Sequence, residues 1–267
     1  LPIDEALDRL EAGRLPARSV CVTFDDGYRD NFDVALPILR SHGFAATVFV
    51  TSGVLGDGLM FNDAVIETAR QLPPGNFDLA WLGLPVMTIS HAQSRVELAQ
   101  AVIRKLKYMT PEAREAACER LRQGAEVRLP DDLMLKPEQV SELERLGVAI
   151  GGHTLHHATL ASLSPREAHR QIVGNRLDLA GLLREPPRWF AYPNGRPDSD
   201  FTAVHAKMVR EAGYEAAFTT AWGQVTREDD RFLMRRCGSF DVGPGRFVAR
   251  LLRHGRQSGG FSRSLPR

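Results

Sequence analysis

The chain has 267 residues, 43% of them hydrophobic, 25% charged and 7% aromatic, and its formal net charge is +1. That is enough apolar material for one large α/β domain, and it excludes a disordered or fibrous chain; so small a charge gives no case for a nucleic-acid partner. No apolar run approaches the roughly 18 residues of a membrane span, so no transmembrane segment is expected.

The opening "LPIDEALDRLEAG" has none of the features of a signal peptide. "SVCVTF" (19–24) is β-branched and apolar and reads as a strand. "NFDVALPILRSHG" then has helical spacing through Phe32, Leu36 and Leu39 and stops at Gly43, and "AATVFV" (45–50) is the next strand. Strand, helix, strand in this order is a βαβ unit, which implies parallel strands with ligand sites at their carboxyl ends. From about 52 to 147 the pattern turns mostly helical. "SRVELAQAVIRKLKYM" puts Val96, Ala99, Ile103 and Leu106 on one stripe, "TPEAREAACERLRQ" opens on a Thr110 cap with Pro111 behind it, and "KPEQVSELERLG" repeats that grammar. This stretch is read as a helical insertion within a single domain spanning 1–267. Strands resume at "GVAIGGH", "RWFAY" and "YEAAFTT", separated by helices at about 165–183 and 200–212. From about 242 to 267 the chain is a basic tail, with Arg246, Arg250, Arg253, Arg256, Arg263 and Arg267 and no acid after Asp241. It reads as a solvated end, with an anionic surface as the alternative. Cys21, Cys118 and Cys237 show no metal-type pairing and read as buried small apolar residues. The odd count fits a reducing compartment, so the cytoplasm is expected, or the cell envelope if a leader has been removed.

Two clusters carry chemistry. In "TFDDGYRDN" (23–31) two carboxylates, Asp25 and Asp26, follow a strand directly. In "GGHTLHHATL" (151–160), His153 and His157 stand four apart after another strand, and Gly151 and Gly152 allow close backbone approach. Two imidazoles and one carboxylate from separate strand ends make a facial set of three ligands with open positions. Adjacent side chains diverge at a strand end, so Asp26 can hold a divalent metal while Asp25 acts as general base. Such a donor set suits zinc, and cobalt, nickel, iron or manganese also fit.

"TFDDGYRDN", "HTLHHATL" and "FAYPNG", in this order, resemble the polysaccharide deacetylases of carbohydrate esterase family 4, nearest the branch acting on poly-N-acetylglucosamine and related exopolysaccharides. The resemblance covers roughly 19–50 and 148–236. It implies an α/β fold, a distorted (β/α)7-type barrel, here with the helical insertion, and metal-dependent removal of acetyl groups from an N-acetylated sugar or glycan. Carried onto these positions, it makes Asp25 the general base, Asp26, His153 and His157 the ligands of one divalent ion, and Thr154 a brace for the histidine loop. It also makes the Asn194 N–H an oxyanion donor and has Tyr192 and Pro193 line the sugar site. Trp222, after the last expected strand, is a candidate sugar platform, with a core position as the alternative.

The pattern departs from the family twice. Ala191 stands where an arginine usually pairs with the catalytic aspartate, and Arg235 is the expected substitute, with Arg188 and Arg236 as competitors. The late histidine that serves as general acid in much of the family has no counterpart, which leaves His254, His156 or a water. Two other functions therefore stay open: a catalytically impaired carbohydrate-binding module with the same fold, and a metal amidohydrolase acting on a small amide.

Overall fold

The computed structural model describes residues 1–123, 126–238 and 243–254, the side chains of the last segment only as far as residue 250. Helix α1 (Ile3–Glu11) leads into β1 (Val22–Phe24), and a π-helical turn over Asn31–Ala35 continues as α2 (Leu36–Ser41) before β2 (Ala46–Val50). After α3 (Phe61–Gln71) come β3 (Gly75–Phe77) and β4 (Met87–Ile89), then α4 (Ala92–Leu106), α5 (Pro111–Arg122) and α6 (Pro137–Arg145). The chain finishes with β5 (Ala149–Gly152), α7 (Pro165–Ala180), β6 (Trp189–Ala191), α8 (Ala203–Glu211), β7 (Ala216–Phe218) and α9 (Pro244–His254).

Five strands form one sheet in the order β1-β2-β5-β6-β7, every neighbouring pair parallel. The sheet curls into a half-barrel with helices against it, the distorted (β/α) barrel expected from the resemblance. It has five strands among the described residues where a seven-stranded form was expected, and a single parallel bridge from Phe218 to Met234 extends it past β7. Strand β2, inside the sheet between β1 and β5, is buried at every position, as a parallel strand covered on both faces must be. The pairing of β5 with β6 is thin, a single register pair, Gly152 opposite Phe190.

The segment between β2 and β5 divides in two. Residues of α3, the antiparallel β3–β4 hairpin, α4 and α5 share their own apolar cluster around Val65, Leu98, Val102 and Leu106. Helix α6 instead buries Val140 and Leu143 against the barrel with Val48 and Ile150, so it belongs to the α/β layer although the sequence pattern grouped it with the insertion. The hairpin was not expected. Within α4 the buried stripe runs through Leu98, Ala99, Val102 and Leu106, while Val96, expected on that stripe, is 45% exposed.

All three cysteines are free, but Cys237 is exposed where a buried position was expected. Among the described residues no helix is long and apolar enough to cross a membrane. Arg246 and Arg250 of the expected tail lie on α9; the side chains of Arg253, Arg256, Arg263, Arg267 and His254 fall outside the described residues.

Candidate active site

Strand β1 ends at Phe24, and the chain turns at once: Asp26 has φ 77° and Gly27 φ 86°. The Thr51 N–H donates to the Asp26 carbonyl at 3.1 Å, which holds this turn against the end of β2. Asp25 and Asp26 therefore leave the backbone in different directions. At the end of β5 the glycine pair is a steric requirement. A side chain at Gly151 would overlap the Phe49 ring, and one at Gly152 the Tyr214 hydroxyl and the Asn175 amide.

The loop that follows is held from several sides. Asn175, fully buried on α7, accepts from the His153 N–H at 3.0 Å and donates to the carbonyls of Val50 and Thr154 at 3.0 and 2.9 Å. Thr154 itself has φ 65°, and its hydroxyl oxygen accepts from the Ala158 N–H at 3.3 Å within the loop.

The turn and the loop bring Asp26, His153 and His157 together, one potential donor atom of each lying within 4.8 Å of the others. Asp26 Oδ1 is 3.3 Å from the Nε2 atoms of both histidines, yet it is buried and accepts no hydrogen bond of acceptable geometry. His153 Nδ1 lies 2.7 Å from the Ala191 carbonyl; a carbonyl only accepts, so this nitrogen carries a proton and Nε2 is the ring atom turned toward Asp26. Acceptor atoms converging on an unsatisfied buried oxygen are what a cation would bridge, and one carboxylate with two imidazoles is a donor set for a divalent transition metal. The electrostatics treat the two histidines differently. Burial holds His157 down at about 4, in the neutral form a ligand needs, and despite burial the two histidines hold Asp26 at about 2. Burial opposes the proton on His153 as well, but Asp26 and Asp25 outweigh it and raise that imidazole above its ordinary value.

Asp25 is gripped by Arg236, whose Nη1 and Nη2 donate to its two oxygens at 2.7 and 2.8 Å. Burial would raise the Asp25 carboxyl, but the guanidinium and the nearby His153 outweigh it and keep it below the usual carboxylate range. Arg235, the expected partner, instead donates to Asp229 at 2.7 and 3.0 Å, and Arg188 pairs with Glu215 on the surface. The reason is strand-like alternation: Phe232 and Met234 are buried, so Arg236 continues the inward side and Arg235 points away.

A family model described as polysaccharide deacetylase matches residues 12–217. The chain belongs to the polysaccharide deacetylase family. Its similarity to the Bacillus subtilis deacetylase-type protein YxkH is 19% identity over 82% of this chain, which spans about half, 50%, of that relative's length. Among solved structures, IcaB from Ammonifex degensii superposes with a TM-score of 0.58 at 18% identity, covering 96% of this chain and 81% of that one. The Streptococcus pyogenes deacetylase PplD, solved with acetate, gives 0.55 at 18% identity over 88% of this chain and 71% of that one. At such identities the shared feature is the fold.

Against this family pattern the remaining expected residues sort unevenly. Asn194, at φ 61°, sits beyond β6, its side chain donating to Thr159 Oγ1 at 3.1 Å and its carbonyl accepting from the Thr220 hydroxyl at 2.6 Å. Tyr192 does not line a sugar site: it is fully buried, stacked on Phe201 at 3.7 Å between ring centroids, and its hydroxyl donates to the Phe232 carbonyl at 3.0 Å. Pro193 is buried beside it. Both were expected at the sugar from the resemblance, but alternation with Phe190 turns Tyr192 into the core. Trp222 is 42% exposed beyond β7, with the Arg250 guanidinium 5.4 Å from its ring centroid. His156 turns to α7, its Nδ1 3.2 Å from the Gln171 amide nitrogen, and burial lowers its pKa. Asn175 was missed altogether, although Gln171 and Asn175 are polar residues on the helix face that also carries Ala168, Ile172 and Leu179, and a polar group at a core position is itself a signal.

Proposed function

We propose that the protein removes acetyl groups from an N-acetylated amino sugar or glycan in a metal-dependent hydrolysis. The observation that carries this reading is the unsatisfied Asp26 oxygen between two imidazoles, beside a second carboxylate already clamped by an arginine. Asp26, His153 and His157 would hold the ion, with zinc the first choice and cobalt, nickel, iron or manganese also suited to the donors. Bound there, a divalent cation supplies Lewis acidity toward the acetyl carbonyl and acidifies water. Asp25, kept ionised and oriented by Arg236, takes the proton of the attacking water. The Asn194 backbone N–H, held by its left-handed turn, is the donor for the developing oxyanion. Trp222, half-exposed at the rim, offers its face to a pyranose ring. The amine takes up a proton as the C–N bond breaks. The intact Asp25–Arg236 pair weighs against an impaired binding module, since the arginine absent at position 191 is replaced from another segment.

The test is acetate release from N-acetylglucosamine oligomers by protein loaded with Zn2+ or Co2+, with Asp25→Ala beside it. Release from wild type and none from the variant is the expected outcome. Sugar binding without release by wild type would support the binding module. Activity on small cyclic amides with none on acetyl sugars would support an amidohydrolase.

A further inference from the structure

Helix α5 of the insertion carries a residue that its own packing does not explain. Arg114 is 2% exposed, the largest fully buried side chain among the described residues, and its neighbours on the same helix face are Ala117, Cys118 and Leu121. Burial lowers its pKa only to about 10, so it stays charged at neutral pH. None of the described carboxylates forms an ion pair with it, and its Nε has no partner. Such an arrangement is costly unless the charge is used, and an apolar residue would fill this place in the cluster more cheaply. The guanidinium lies 4.5 Å from the Phe61 ring centroid and points out of the insertion into the histidine loop. There Nη1 donates to the His157 carbonyl at 3.1 Å, and Nη2 reaches the His156 carbonyl at 3.4 Å.

Those two carbonyls belong to the peptide planes on either side of the His157 Cα. Fixing both planes fixes φ and ψ of His157, and that residue has φ 48°, a conformation a non-glycine residue leaves readily unless it is held. We infer that Arg114 is a positioning residue for the metal loop: from the insertion it pins the backbone of His157 and so aims that imidazole at Asp26. The inference rests on the proposed metal centre, and it ties the insertion to the site's geometry.

The test is Co2+ titration of the full chain, reading the dissociation constant and the visible absorption of the bound ion. Arg114→Met is expected to raise the Co2+ Kd by about tenfold or more, the scale seen when a contact orienting a ligand is lost, and to alter the spectrum. Leu121→Ala, buried in the same cluster, is expected to lower the melting temperature and leave Kd and spectrum unchanged. Arg114→Lys keeps the charge but not the two-carbonyl grip and is expected to fall between wild type and Arg114→Met. Arg114→Met binding Co2+ with the wild-type Kd and spectrum overturns the inference; if that variant does not fold, wild-type values in Arg114→Lys overturn it. If wild type binds Co2+ no better than Asp26→Ala, the metal centre itself falls, a failure distinct from loss confined to position 114.

Discussion

The strand-end loops and the insertion obey different rules. Around the site, Asp26, Thr154, His157 and Asn194 all occupy left-handed backbone, and Asp26 Oδ1 and His157 Nδ1 are buried without hydrogen-bond partners. Across the insertion, among the described residues, positive φ is confined to glycines, α5 starts at a Thr110 cap with Pro111 behind it, and apolar faces meet apolar faces. Local preference is violated where donor atoms must converge and respected where packing is enough. Arg114 is the exception that joins the two regions.

That contrast can be broken by substitution. The largest effect is expected at the site: Asp25→Asn should lower kcat by about 10²–10⁴ with the melting temperature little changed, measured by acetate release and thermal unfolding. In the insertion the effect should appear in stability. Leu98→Ala, at a fully buried position, should cost about 2–5 kcal/mol of unfolding free energy, read by denaturant titration. Arg236→Gln lies between the two in kind. Losing the bidentate clamp should lower kcat/KM by roughly 10–100-fold, as for loss of an orienting contact, and should let burial raise the Asp25 carboxyl. The base works as the carboxylate, so a raised pKa must move the acidic limb of the pH–rate profile to higher pH; a limb that stays put would sever Arg236 from Asp25. The smallest effect belongs to Val96→Lys on the exposed side of α4, expected within about 0.5 kcal/mol of wild type. A large loss there would mean that this face is covered.

Much of the site was legible because its residues are consecutive or one helical turn apart and stand directly after strands whose burial is written in β-branched runs. The five barrel strands were readable for the same reason, each shorter in the structure than in the sequence pattern. What stayed hidden depends on phase. "RFLMRR" has apolar residues at both odd and even positions, so the sequence does not say which of two neighbouring arginines faces inward; the bridge from Met234 to Phe218 decides it. Tyr192 was misread for a related reason, since a residue just past a strand end keeps the strand's alternation. The β3–β4 hairpin is built of two three-residue strands, one opening on glycine, too short to register as period-two patterning.

The single register pair between β5 and β6 has a further consequence. Beside that pair, the His153 imidazole reaches across the seam to the Ala191 carbonyl. An ion seated on His153 would act there as a rivet through the sheet. Deuterium uptake at the amides of β6 should slow when the cation is added, while β2, already sealed by neighbours on both sides, should scarcely respond.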